Sequence, residues 1–300
     1  MRIVRHPARH VHNQNADARP VYGDAEKRIL SLAAFGEAWK EIRSWPDYAA
    51  TPLVQLPGLA AELGLGSLYQ KDEGKRFELM SFKALGGAYA VLRHLQQHLQ
   101  DQHDLTGVTS ADLLTGRHHG DTREVIFATA TDGNHGRSVA WGANMFGSAC
   151  KIYLHHHVSD LREREIAKFG ADIVRIDGNY DDSVRQCAVD AEANGWQLVA
   201  DTTSGGGSQI VPKTVMQGYT VMVQEMLDQM PQAALPTHIF VPGGVGGLAA
   251  ATAAHLSERL TIQKPRIIVV EPSKADCIFR SIAADTPTAA DGDLDTFMAC

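Results

Sequence analysis

From residue 125 onward, short β-rich runs alternate with longer helical patterns, and this rhythm constrains the fold more than any other feature of the chain. VIFATAT (125–131), KIYL (151–154), DIVRI (172–176), WQLVA (196–200), HIFVP (238–242) and RIIVVE (266–271) read as strands. Helical patterns fill the gaps, from GNHG to Phe146 and over 161–169, 181–194, 209–229 and 247–259. Such alternation predicts βαβ units and a parallel sheet. Sheets of that kind place ligands at the carboxyl ends of their strands, so the residues just after each strand are the first candidates for chemistry. Upstream, a polar arm over 1–30 precedes a helix over 31–45, an extended piece at 51–53 and a strand at 67–71. The polar stretch 101–122 reads as a surface insertion, and the three glycines at 205–207 as a hinge between two lobes.

Composition removes several function classes. The chain has 28 basic and 35 acidic residues, a net charge of −7, which is no footprint for nucleic acid. With 300 residues, 44% hydrophobic and 21% charged, it can bury a large core in about two domains. No apolar run approaches the roughly 20 residues of a membrane helix. Met1 to His10 lacks the apolar stretch of a secretory signal. Four cysteines without CxxC spacing make no disulfide framework, and a cytoplasmic location follows as the expectation. Cys150 and Cys187 read as core or helix residues. The 14 histidines include runs at 118–119 and 155–157, but neither run has the spacing of metal ligands. Both read as exposed loop residues, and no metal is expected.

Four segments carry possible chemistry. Lys83 lies in SFKALGGAYA, between apolar residues at the start of a helical pattern. A lysine so placed can be desolvated near a positive helix end, which favours the neutral amine and imine chemistry. A stem snorkelling along an apolar face is the commoner fate of a lysine. Gly243-Gly244-Val245-Gly246-Gly247 joins a strand to a helix, and its backbone amides suit a phosphate. Gly244, Gly246 and Ala249 also fit a dinucleotide fingerprint, with Glu271 where a ribose-binding acid would stand. A nicotinamide-dependent oxidoreductase is therefore open at this point. Thr131-Asp132-Gly133-Asn134-His135-Gly136 follows a strand; Asp132 or Asn134 either caps the next helix or offers polar groups to a ligand. Asp201-Thr202-Thr203-Ser204 is either a polar turn or the opposite wall of a cleft.

Taken together and in this order, SFKALGGAYA, DGNHG and PGGVGGL resemble the fold type II family of pyridoxal-phosphate enzymes, the group of threonine dehydratase and tryptophan synthase β. The resemblance runs from about Thr51 to the C-terminus. YQKDEGKRFELMSFKALGGAYA, TATDGNHGRSVAWGA and VEPSKADCIFRS are most similar to its diaminopropionate ammonia-lyase branch, where Asp132 stands in place of the serine of the usual SGNHG. The implied fold is α/β: two lobes of open sheets with helices on both faces. Residues 1–95 and 205–300 would form the large domain and 96–204 the small one. The resemblance also implies roles. Lys83 would bind pyridoxal 5'-phosphate through its amine. Asn134 would hydrogen-bond the ring hydroxyl oxygen. Gly243, Gly244, Val245, Gly246 and Gly247 would cradle the phosphate. Asp132 would be a second base and Asp201 would position the substrate. Elimination of ammonia from D- and L-2,3-diaminopropionate, giving pyruvate, is the implied activity, with a threonine or serine dehydratase as the alternative. A homodimer is the implied assembly, with an amino acid as the small-molecule partner. Family members would continue beyond Met298-Ala299-Cys300 with later sheet elements and the group that faces the pyridine nitrogen, so a C-terminal part is expected to be missing.

Overall fold

The computed structural model describes residues 8–16, 21–131, 133–200, 210–231, 235–260, 264–291 and 296. Its strands are β1 (Leu53–Gln55), β2 (Tyr69–Lys71), β3 (Ile126–Ala130), β4 (Ala149–His155), β5 (Asp172–Ile176), β6 (Gln197–Leu198), β7 (His238–Pro242) and β8 (Arg266–Val270). The helices before β3 are α1 (Asp24–Lys27), α2 (Leu32–Ile42), α3 (Pro57–Leu63), α4 (Lys83–His103), α5 (Ser110–Leu114) and α6 (His119–Thr122). Those after it are α7 (Asn134–Met145), α8 (Asp160–Ala167), α9 (Tyr180–Asn194), α10 (Ile210–Gln229), α11 (Gly247–Arg259) and α12 (Cys277–Ala284).

The expected parallel sheet is present. Four strands run in the order β5-β4-β3-β6, all parallel. Phe127, Cys150, Ile152 and Leu154 point into one apolar cluster, while Ala128 and Tyr153 point into another with Cys187 and Ala191 of α9. That alternation is the period-two geometry of a strand covered on both faces. The chain moves outward from β3 to β4 and β5, then crosses back to β6 on the other side of β3. The topological switch point therefore lies between β3 and β6, where ligands of open α/β sheets bind. β7 and β8 form a second parallel pair, and β1 and β2 a short antiparallel one.

The longest helix, α4, is the axis of the larger core. Its first ten residues after Lys83 include nine that are buried, Ala84 through Leu92. Glycines let neighbours approach its backbone. A Cβ on Gly218 of α10 would stand 2.0 Å from the carbonyl oxygen of Leu85, and one on Gly142 of α7 would stand 2.6 Å from the Cα of Ala88. No side chain larger than hydrogen fits either place.

The segment leading into α4 is held by a buried ionic network. Arg76, whose side chain is 0% exposed, donates to both oxygens of Glu225 at 2.8 and 2.7 Å and to Glu73 at 2.9 and 2.8 Å. Lys71 Nζ reaches Glu225 at 2.8 Å, and the Tyr48 hydroxyl donates to it at 2.8 Å. Burial pushes the Glu225 carboxyl up, but hydrogen bonds and charge from Arg76 and Lys71 outweigh it and hold the carboxyl below its ordinary value.

The stretch 101–122 lies mostly at the surface, as expected, but three of its residues are tied inward. Ser110, Leu113 and Thr122 within it are fully or almost fully buried. Glu41 of α2 accepts hydrogen bonds from the Ser110 amide at 2.9 Å and its hydroxyl at 2.6 Å. These contacts link α2 to α5. The 205–207 hinge lies outside the described residues.

Glu225→Gln keeps the shape of this network but removes its charge. Because the folded-state carboxyl is depressed, its contribution is present above the unfolded value of about 4.3 and is lost as pH falls below it. The variant should therefore be destabilised by about 3–5 kcal/mol at pH 7. The gap to wild type should narrow as pH drops from 5 to about 3. Urea unfolding across that range measures both.

Candidate functional site

Lys83 is the first residue of α4. Its Nζ lies 5.7 Å from the centre of the Phe82 ring and 6.0 Å from that of Tyr219. These faces give the ammonium or amine partly apolar, electron-rich surroundings. The Lys83 side is neither bulk solvent nor sealed core, since the residue is half-buried.

Ser138 fixes the backbone there. Its hydroxyl donates to the Lys83 carbonyl at 2.7 Å and accepts from the Ala88 amide at 3.1 Å. Ser138 belongs to α7, which begins at Asn134 just past the carboxyl end of β3. The clamp therefore ties the start of one helix to the first turns of the other. Gly87 makes room for it, because a Cβ there would stand 2.5 Å from Ser138 Oγ.

Asn134 does not cap α7. Gly133 is the N-cap residue and no side chain caps the helix. Asn134 Oδ1 instead accepts from Arg137 at 3.3 Å. His135, the next residue, is buried and places Nε2 at 2.9 Å from the carbonyl oxygen of Val199. This contact joins the chain after β3 to the chain after β6, across the switch point. Asp132 and Asp201 lie outside the described residues, beside Thr131 and Ala200 of these same two segments.

The glycine turn is the third component. Gly244 and Gly246 adopt φ of 59° and 92°, the left-handed region that favours glycine. The Gly243 amide donates to the Val270 carbonyl at 2.8 Å, holding the turn against β8. Val245 is 57% exposed at its tip, and a Cβ on Gly244 would meet nothing within 4 Å. Gly247 opens α11, and a Cβ there would come within 3.9 Å of the Tyr219 ring. Tyr219 thus stands between the Lys83 amine and the glycine turn.

Electrostatics favour an anion at this junction. α4, α7 and α11 have no acidic residue in their first turns and no side-chain cap. The first amides of α4 are taken up by Ser81 and Phe82, so at that helix the dipole alone acts on a ligand. A phosphate cradled at the start of α11 fits that donor set. Glu271, by contrast, is not placed for a ribose. Its carboxylate accepts from the amides of Ile278 and Phe279 at 3.0 and 2.7 Å, at the start of α12. Cys277 adds contacts to Glu271 and to the Gly244 carbonyl. The dinucleotide alternative loses its acid to a helix N-terminus.

A cleft of about 910 Å³ opens beside Val245 and Cys277 and is also lined by Asn13, Ser281 and Thr288. It touches neither Lys83 nor Asn134. The other expected features fall as follows. Cys150 and Cys187 are buried, and burial pushes both thiols up, the latter to about 12. Cys300 lies outside the described residues. His156 and His157 are exposed, while His118, His119 and His155 are half-buried. Ser138, Tyr219 and Phe82 were missed as site residues, since their roles arise from contacts between segments distant in sequence or, for Phe82, from an unremarkable apolar neighbour. Among the described residues, no helix is long and apolar enough to cross a membrane.

A family model for "Pyridoxal-phosphate dependent enzyme" matches residues 45–299. The chain is 40% identical over 258 residues to a diaminopropionate ammonia-lyase of Salmonella typhimurium, covering 85% of this chain and 63% of that relative. Diaminopropionate ammonia-lyase from Escherichia coli in complex with D-serine superposes with a TM-score of 0.79 at 34% identity, covering 89% of this chain and 67% of that one. The same E. coli enzyme in complex with an aminoacrylate-PLP azomethine reaction intermediate gives 0.75 at 34% identity, covering 87% and 65%. The chain thus spans about 63% of the length of its curated Salmonella relative.

Ser138→Ala should leave the Lys83 carbonyl without its donor and cost about 1–3 kcal/mol. Denaturant titration reads the stability. If Ser138 also fixes the lysine, cofactor affinity should fall with it, as followed by visible absorbance.

Proposed function

The chain belongs to the family of pyridoxal-phosphate-dependent enzymes, and from that premise we propose that it is a carbon–nitrogen lyase acting on 2,3-diaminopropionate. The overall balance is diaminopropionate plus water giving pyruvate and two ammonia, and it needs no oxidant. What carries this reading is the meeting of Lys83, the Asn134 helix and the glycine turn around Ser138 and Tyr219. The 40% identity to a relative named for this activity supports the choice of substrate.

Lys83 would hold the cofactor through Nζ, Asn134 would meet its ring hydroxyl oxygen, and residues 243–247 would bind its phosphate through backbone amides. When bound, the cofactor supplies an electron sink that makes the Cα proton of an amino acid removable. Lys83 Nζ would take that proton from one face. The Asp132 carboxylate takes it from the other, which admits both D and L substrates. Asp201 helps to orient the substrate, and two carboxylates suit a cationic β-ammonium. A threonine or serine dehydratase would expel hydroxide and would have no use for the second carboxylate.

The two-lobe division at 95/96 and 204/205 belongs to the same proposal. The four-stranded sheet lies wholly within 126–198 and the two-stranded sheets outside that span, which supports it, but the 95/96 boundary falls inside α4, which runs unbroken over Lys83–His103. A homodimer in the cytoplasm completes it.

Lys83→Ala should abolish pyruvate formation from both enantiomers and leave a protein whose visible cofactor absorbance is not fixed by borohydride. Asp132→Asn should lower kcat for the D substrate by about 10²–10⁴-fold and spare the L substrate. Equal losses would remove the two-base assignment. Pyruvate formed from serine or threonine but not from diaminopropionate would replace the proposed substrate with the dehydratase alternative.

A further inference from the structure

A second cluster lies far from Lys83, where α4 ends. His98 and His103 of α4 and Glu124, just after α6, offer ligand atoms that all lie within 4.8 Å of one another. The Nε2 atoms of both histidines are shut off from solvent and have no hydrogen-bond partner. Leaving two imidazole nitrogens buried and unpaired is costly unless something binds them. The rings meet edge to face, with centres 5.6 Å apart.

The surroundings are those of a metal ligand set. His103 Nδ1 faces the Asp121 carboxylate at 3.7 Å. A carboxylate behind an imidazole fixes its tautomer and aims the other nitrogen outward to an ion. Asp121 also lies 3.7 Å from His118 Nδ1. The backbone on Glu124's side is anchored as well. Thr122 is fully buried, and its carbonyl accepts from Ser148 at 2.8 Å. Glu124 itself is exposed and free to swing its carboxylate inward.

We propose that His98, His103 and Glu124 form a site for a divalent transition metal, zinc by ligand type, that staples the end of α4 to the segment entering β3. Two imidazoles and one carboxylate suit zinc, with bonds of about 2.0–2.2 Å and water in the fourth place. Tetrahedral binding sets ligand atoms about 3.3 Å apart, so closing the cluster takes a modest rotation of Glu124. The site is remote from the lysine. At 1.5 Å per residue, His98 lies about 22 Å along the helix from Lys83. The ion would join α4, which carries the lysine, to the strand whose end carries the Asn134 loop.

The test uses the full chain loaded with its cofactor, stripped of metal with a chelator, then titrated with zinc or cobalt. One equivalent of zinc should bind and raise Tm. Cobalt should give the visible absorbance of a four-coordinate nitrogen–oxygen site. His98→Gln/His103→Gln and, separately, Glu124→Gln should each weaken zinc binding by about tenfold or more. His156→Gln/His157→Gln, in the exposed run, should leave it unchanged. Glu124 is exposed, so its variant should keep the metal-free Tm of wild type and separate lost ligation from lost folding. Wild type that takes up no zinc at about 0.1 mM, where a micromolar site is full, overturns the proposal. So does undiminished binding in either ligand variant. Neither readout depends on whether the chain forms pyruvate.

Discussion

Contact between helix backbones around α4 is the constraint on which the rest depends. The Leu85 carbonyl sits where a Cβ of Gly218 would be, and Ala88 sits where one of Gly142 would be. α4 is therefore gripped on two sides at distances that only glycine permits. Packed at such density, a core transmits small displacements instead of absorbing them. Lys83 inherits its position from this grip. So do Ser138, which lies one turn before Gly142 on α7, and Tyr219, which follows Gly218 on α10.

The ionic network extends the same control upstream. Arg76 and Glu225 are all but inaccessible to water, so each charge is tolerable only because the other is present. Glu225 stands on α10, two turns beyond Tyr219. One helix thus positions the ring beside the lysine amine and the carboxylate that anchors the approach to that lysine. Burying these charges adds little net stability compared with an apolar core. What it does is fix one arrangement of the 71–76 segment against α10.

Much of the architecture was legible because strand and helix periods are local properties. DIVRI and HIFVP match β5 and β7 to the residue, and the 247–259 helix matches α11. WQLVA was overread: Gln197 and Leu198 pair with β3, and the Val199 amide makes one further bond to Ala128 of that strand. The burial of Ser110 within the polar 101–122 segment was not legible, because hydrophilic residues look alike whether they meet water or a buried Glu41. Glu271 drew a nucleotide reading because its spacing fits one. Its actual partners, the amides of Ile278 and Phe279, follow from how the chain turns after β8, which spacing does not encode. Lys83, Asn134 and the glycines stand in short motifs, but the contacts of Ser138 and Tyr219 were invisible because a clamp between distant segments leaves no local signature. Asp132 and Asp201 were read from sequence, and their place in the geometry lies outside the described residues.

The bare start of α11 has a practical corollary. With no acidic residue in its first turn and no side chain bonded to its amides, it offers the same welcome to any tetrahedral oxyanion. On the proposed function, sulfate and inorganic phosphate in a buffer would compete for that berth. Retention of a phosphorylated prosthetic group, and the speed of its reloading after removal, would then depend on the choice of counter-anion as much as on the covalent tether.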